Sequence, residues 1–171
     1  MDTTMIVLRL IHIGTGVFWA GAVFTAAMFL GPTARDLGPA AGPFMRHLMG
    51  VKKYSMRIIV SAILTILSGA GMFWVDMHRS QGTWAGSRQG IVFSLGAVTA
   101  LLALIPGIGI SARMGKRLVQ LSGDIAASGA PPTPEQAAEV GRLQKMLGIG
   151  AAAAAALLSI TVIAMSIARY V

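Results

Sequence analysis

The residues in this chain able to hold a metal or a cofactor are few and soft: three histidines, eleven methionines and no cysteine. Thiolate sites, iron–sulfur clusters and disulfides are therefore excluded, and any bound group must rest on imidazole, thioether, carboxylate or backbone. His12 stands in "RLIHIGTGVFWAGAVF", an otherwise apolar stretch. Met5 and Trp19 lie seven residues to either side of it, which places all three on one helical face, with Gly16 between His12 and Trp19. In a second stretch Trp74 and His78 are four residues apart and share a face. Two neutral imidazoles on facing helices can ligate a haem b iron axially, small residues beside each ligand leave room for a porphyrin plane, and Arg9 and Arg79 stand where propionates would need cations. The same neighbourhood supports a second chemistry. His12, His78, Met5, Met72 and Met77 form an imidazole and thioether set suited to Cu(I).

The elements that must position these groups are membrane spans. The chain has 171 residues, 55% of them hydrophobic and 12% charged, with a mean hydropathy of +0.72. That exceeds the apolar content of ordinary soluble domains. A helix needs about 20 mainly apolar residues to cross a hydrocarbon core about 30 Å thick. Four stretches qualify, at residues 10–30, 58–75, 91–112 and 146–168. The first is too long for the apolar core of a secretory signal and is expected to be retained. His12 then falls about three residues inside its span, roughly 4.5 Å below the outer boundary. The spans contain no Asp or Glu, so an intramembrane carboxylate relay is unsupported, and "GIGISARMGKR" lacks the spacing and strand context of a phosphate-binding loop.

Of the fourteen basic residues, ten lie between spans one and two or between spans three and four. The positive-inside rule places those loops in the cytoplasm and both termini outside, so the net charge of +8 is read as topology rather than as nucleic-acid binding. His47, beside Arg46, falls on the inner side with no chemistry assigned. Pro43 suits a first helical position and should start span two as a cytoplasmic extension. Thr133, Pro134 and Gln136 form a capping box that starts the fourth helix well before the membrane. Pro106 should kink the third helix near its inner end. The expected fold is all-α, a single-domain (1–171) integral membrane up-down-up-down four-helix bundle with cytoplasmic helix extensions.

In layout the chain resembles the copper-resistance protein D-like group of small bacterial membrane proteins and its neighbours, the haem-associated (HemJ-like) oxygen-independent protoporphyrinogen oxidases. The resemblance is carried by the early histidine and "FWAGAVF", by "KKYSMRIIVSAILTILSGAGM" and by "LLSITVIAMSIARYV". It implies a bacterial inner-membrane location, a functional role for His12, Trp19, Gly21 and Arg57, and haem or copper as cofactor. The oxidase pattern also has a Tyr/Pro/Arg run closing on a second histidine after span one, and a lysine in span three. Here the first place reads "FLGPTARDLG", and no lysine occurs at 91–112. The leading expectation is a haem b protein working near the outer leaflet and passing electrons to a membrane redox partner. The alternatives are copper handling, and a cofactor-free assembly subunit or homo-oligomer that uses the small-residue face at 148–156.

Overall fold

The computed structural model describes residues 2–171, the side chains at 39, 111 and 112 apart, and these residues form helices and short turns without a strand. Four helical runs, Thr3–Leu37, Tyr54–Arg79, Arg88–Ser128 and Pro134–Tyr170, are long and apolar enough to cross a membrane. Each contains one of the four apolar stretches read from the sequence.

Helix α1 (Thr3–Thr25) starts where the Asp2 carboxylate accepts the Thr4 amide at 3.0 Å, satisfying one of the donors that a helix start leaves bare. A π-helical turn at Ala26–Leu30 then leads into α2 (Gly31–Leu37). Pro32 accounts for the widening: it has no amide to donate and its ring crowds the carbonyl four residues back, so the ladder shifts register and the Gly31 amide bonds to the Ala26 carbonyl instead. Gly38, at φ 54°, ends the run in a backbone region open to glycine.

The expected extension of span two is a separate element. Helix α3 (Gly42–Arg46) and a π-turn at His47–Val51 are divided from α4 (Tyr54–Arg79) by Lys53, whose left-handed backbone (φ 51°, ψ 42°) cannot continue a right-handed helix. Helix α5 (Arg88–Leu104) is capped by the Ser87 hydroxyl, which accepts the Gly90 amide at 3.1 Å. At Pro106 the α-ladder gives way to π geometry over Ile105–Ala112 before α6 (Arg113–Ser128), so the expected break is there and takes the form of a widened helix. Helix α7 (Pro134–Ile167) begins at the expected capping box. The Thr133 amide donates to Gln136 Oε1 at 2.9 Å, and Thr133 Oγ1 accepts the Gln136 amide at 3.3 Å. At about 1.5 Å per residue its 34 residues far exceed the hydrocarbon thickness.

The helices pack as two seams. Along the first, Asp2 pairs with Arg79, Leu8 abuts Gly71, Thr15 meets Thr65, and the Tyr54 hydroxyl donates to the Ala22 carbonyl at 2.6 Å. The residue order runs oppositely on the two sides, so α1 and α4 are antiparallel. Along the second, Gly96 faces Met165 and Ala164, and the Thr99 and Thr161 hydroxyls lie 2.8 Å apart, so α5 and α7 are antiparallel too. Trp19, Ala62, Ala100, Ala103 and Leu158 join the two pairs in one buried cluster. The small face of α7 is turned partly inward: Gly150 and Ala154 are buried, and Gly148 lies 3.8 Å, measured from its Cβ position, from the Arg35 guanidinium.

Candidate functional site

Where α1 and α4 meet, three hydroxyl residues follow the helical repeat: Ser61, Thr65 and Ser68 are buried at i, i+4 and i+7. Each is satisfied within its own helix, Ser61 by the Ile58 carbonyl at 2.8 Å, Thr65 by Ser61 at 2.7 Å and Ser68 by Leu64 at 2.6 Å. Small side chains with no orphaned polar atoms let two backbones approach closely where lipid supplies no hydrophobic drive.

His12 enters this seam from α1. Its Nδ1 lies 2.7 Å from the Thr65 carbonyl oxygen. A carbonyl only accepts, so Nδ1 carries the proton and donates, and in the neutral ring Nε2 is left as the bare nitrogen with its lone pair. A Cβ built at Gly69 would fall 2.9 Å from His12 Cε1 and 3.0 Å from Nδ1, so the imidazole occupies the space that glycine leaves. Thr15 completes the cluster, its hydroxyl 2.8 Å from that of Thr65 and 2.7 Å from the Ile11 carbonyl. The arrangement fixes the ring plane, the tautomer and the direction of Nε2 together. A metal-ligating histidine is oriented by the same means, with its second ring N–H held by a backbone carbonyl or carboxylate.

The level of His12 along the seam follows from the pairing of the two helices. Helix α1 begins at Thr3, seven residues before the apolar stretch, and the Asp2–Arg79 pair sets its register on α4. The ring therefore lies level with Thr65–Gly69, ten to fourteen residues from the Arg79 end of the 26-residue α4.

The other expected site residues are scattered. His78 is exposed and nine residues beyond Gly69, about 13.5 Å further along α4, so His12 and His78 do not converge on one metal ion. Trp74 is 72% exposed, whereas Trp19 is 4% exposed in the cluster that joins the helix pairs. Gly16 does not open a slot, because its Cβ position lies 3.4 Å from the Thr65 methyl. Arg79 is paired with Asp2, and Arg9 is exposed on α1. Partial desolvation raises the Asp2 carboxyl, but the Arg79 charge and the Thr4 and Met5 amides outweigh it and hold the group below its ordinary value. Met5, Met72 and Met77 are half-buried, Met72 one turn beyond Gly69 on the same face. Among the described residues no three His, Asp or Glu side chains gather as a metal site. What the sequence reading missed is the α4 half of the cluster: the Thr65 carbonyl and Gly69. The i, i+4, i+7 spacing of Ser61, Thr65 and Ser68 is the signal that pointed to it.

The chain matches no protein-family model, no curated protein and no solved structure. Gly69 is the position at which the geometry of the site can be tested. Gly69→Ala is expected to push the imidazole off the Thr65 carbonyl and to lower stability by about 1–2 kcal/mol, as overpacking of a fitted contact does. The thermal midpoint in detergent reads the loss, and ring-nitrogen NMR of His12 reads the tautomer. An unchanged Nδ1–H signal would show that the ring does not depend on this glycine.

Proposed function

We propose that this chain is an integral membrane protein in which His12 acts as the protein ligand to a redox cofactor, haem b, on an electron-transfer path. The observation that carries the reading is the 2.7 Å bond from Nδ1–H to the Thr65 carbonyl, which leaves Nε2 unprotonated in a ring held against α4. An ionisable side chain within a membrane span is costly to keep in lipid and calls for a function, and of the three histidines only His12 falls inside an apolar stretch.

The residue that would hold the group is His12, through Nε2. His12 offers a neutral imidazole, and the carbonyl bond raises its basicity as a ligand. His78 lies too far along α4 to join it, so the reading rests on a single histidine of this chain. Bound there, haem would supply one-electron chemistry. What the chain itself contributes is orientation: Thr65 holds the ring, Gly69 gives it room, and Thr15 ties the two helices at the same level. In this reading the helices run up-down-up-down through a bacterial inner membrane. The ten basic residues at 35–57 and 113–145 lie in the cytoplasm and both termini lie outside.

The test is the absorption spectrum of detergent-purified protein, oxidised and then reduced, for wild type and His12→Ala. A b-type spectrum in wild type that is lost or shifted in the variant is expected. A colourless wild type from haem-replete cells sinks the proposal, and metal analysis of the same sample would then decide whether copper takes its place at His12 and Met72.

A further inference from the structure

A groove of about 390 Å³ runs along the outside of the α1/α4 seam. Gly14 and Phe18 line it from α1 and Met56, Val60 and Leu64 from α4, with Lys53 and Arg57 at one end. From Lys53 to Leu64 is eleven residues, about 16 Å of helix rise, which is the depth of one leaflet of a hydrocarbon core about 30 Å thick. The trough therefore has the length of an acyl chain, and its only charged lining residues are the two cations at its mouth.

Three observations say what covers it. Both cations are exposed and, among the described residues, neither makes an ion pair, while no carboxylate lines the groove. Lys53 keeps a left-handed backbone (φ 51°) that disfavours a residue with a Cβ, and such conformations collect at ligand clamps. The hydroxyls within the trough, Thr15 and Ser61, are already bonded to the Ile11 and Ile58 carbonyls, so the wall presents no unmet polar group to a hydrocarbon chain. We infer that the α1/α4 groove is a seat for one anionic phospholipid, its phosphate between Lys53 and Arg57 and an acyl chain laid along Gly14, Phe18, Val60 and Leu64. Basic pockets between membrane helices hold acidic lipid headgroups in this manner. The inference is independent of any cofactor at His12.

The experiment is native mass spectrometry of the full chain in a mild detergent, titrated with phosphatidylglycerol, with phosphatidylcholine of the same chains, and with inorganic phosphate. Wild type is expected to retain one phosphatidylglycerol in preference to phosphatidylcholine and to ignore phosphate. Near a membrane surface each basic residue contributes about 1 kcal/mol, about fivefold, so Lys53→Gln/Arg57→Gln together should weaken retention about 25-fold. Gly14→Leu tests the trough without touching charge. Nothing lies within 4 Å of a Cβ at Gly14, so the variant fills the groove while sparing the seam, and it should weaken retention as well. Equal retention of both lipids by wild type overturns the inference, as does full retention by either variant or stabilisation by phosphate alone. Unchanged thermal midpoints of the variants in lipid-free detergent establish that they fold.

Discussion

Gly90→Ala is expected to cost about 3 kcal/mol of stability, at the upper end of the range for overpacking, while Gly86→Ala four residues earlier changes almost nothing. Gly90 is buried in the first turn of α5, directly under the loop that leads from α4. A Cβ there would overlap the Trp84 carbonyl oxygen and lie 2.9 Å from the Ala85 Cα. Both are backbone atoms, so no rotamer change relieves the clash and the loop itself must move. That loop is held from several sides. The Trp84 amide donates to Ser80 Oγ at 3.1 Å, and the indole sits edge-on to Phe73 at 5.2 Å and stacked on Phe93 at 5.9 Å. Shifting Trp84 thus loosens the aromatic link between α4 and α5 as well as the start of α5. At Gly86 a Cβ meets nothing within 4 Å, and an exposed substitution of that kind stays within about 0.5 kcal/mol. Thermal unfolding in detergent, followed by tryptophan emission, compares the two. A Gly90→Ala protein as stable as Gly86→Ala would show that the loop does not lie on α5.

The loop also shows what kind of information a sequence holds. The four spans were legible because each is a local property: about twenty apolar residues in a row, bounded by charge. The capping box at Thr133–Gln136 was legible for the same reason, since all its partners lie within three residues. Where the reading departed from the structure, the deciding contact is remote in sequence. The register of α1 on α4 depends on pairs more than fifty residues apart, Asp2 with Arg79 and His12 with Thr65, and that register sets the His12 ring against Thr65 and Gly69. In sequence Lys53 is one of the charges that orient the chain, and nothing in "GVKKYSM" announces a left-handed backbone at the second lysine. His12 itself was legible as the one ionisable group inside a span, but its tautomer was not. That is set by a backbone carbonyl on another helix, and every residue has a carbonyl.

Trp19→Ala is expected to lower stability by about 2–4 kcal/mol while leaving the His12 environment in place. On helical spacing alone Trp19 shares the face of His12 and reads as a neighbour of the same site. The structure puts it at 4% exposure against Ala62, Ala100, Ala103 and Leu158. Three of those four are alanines, and larger side chains such as Phe24, Ile58 and Leu157 pack around the cluster only partly buried, so losing the indole leaves a cavity at the joint. Truncation of a buried tryptophan in a soluble core costs about 3–5 kcal/mol. In a membrane the separated helices remain in lipid, so part of the water-transfer contribution drops out and the cavity and lost contacts remain. The lower range follows. The loss falls on the joint between the α1/α4 and α5/α7 pairs, whereas His12, Thr15, Thr65 and Gly69 are held within the α1/α4 seam. Trp19→Ala should therefore show a lowered thermal midpoint with an unaltered Nδ1–H signal from His12, and Trp19→Phe an intermediate loss. If instead the variant is as stable as wild type and the His12 signal moves, Trp19 belongs to the histidine's site and not to the core.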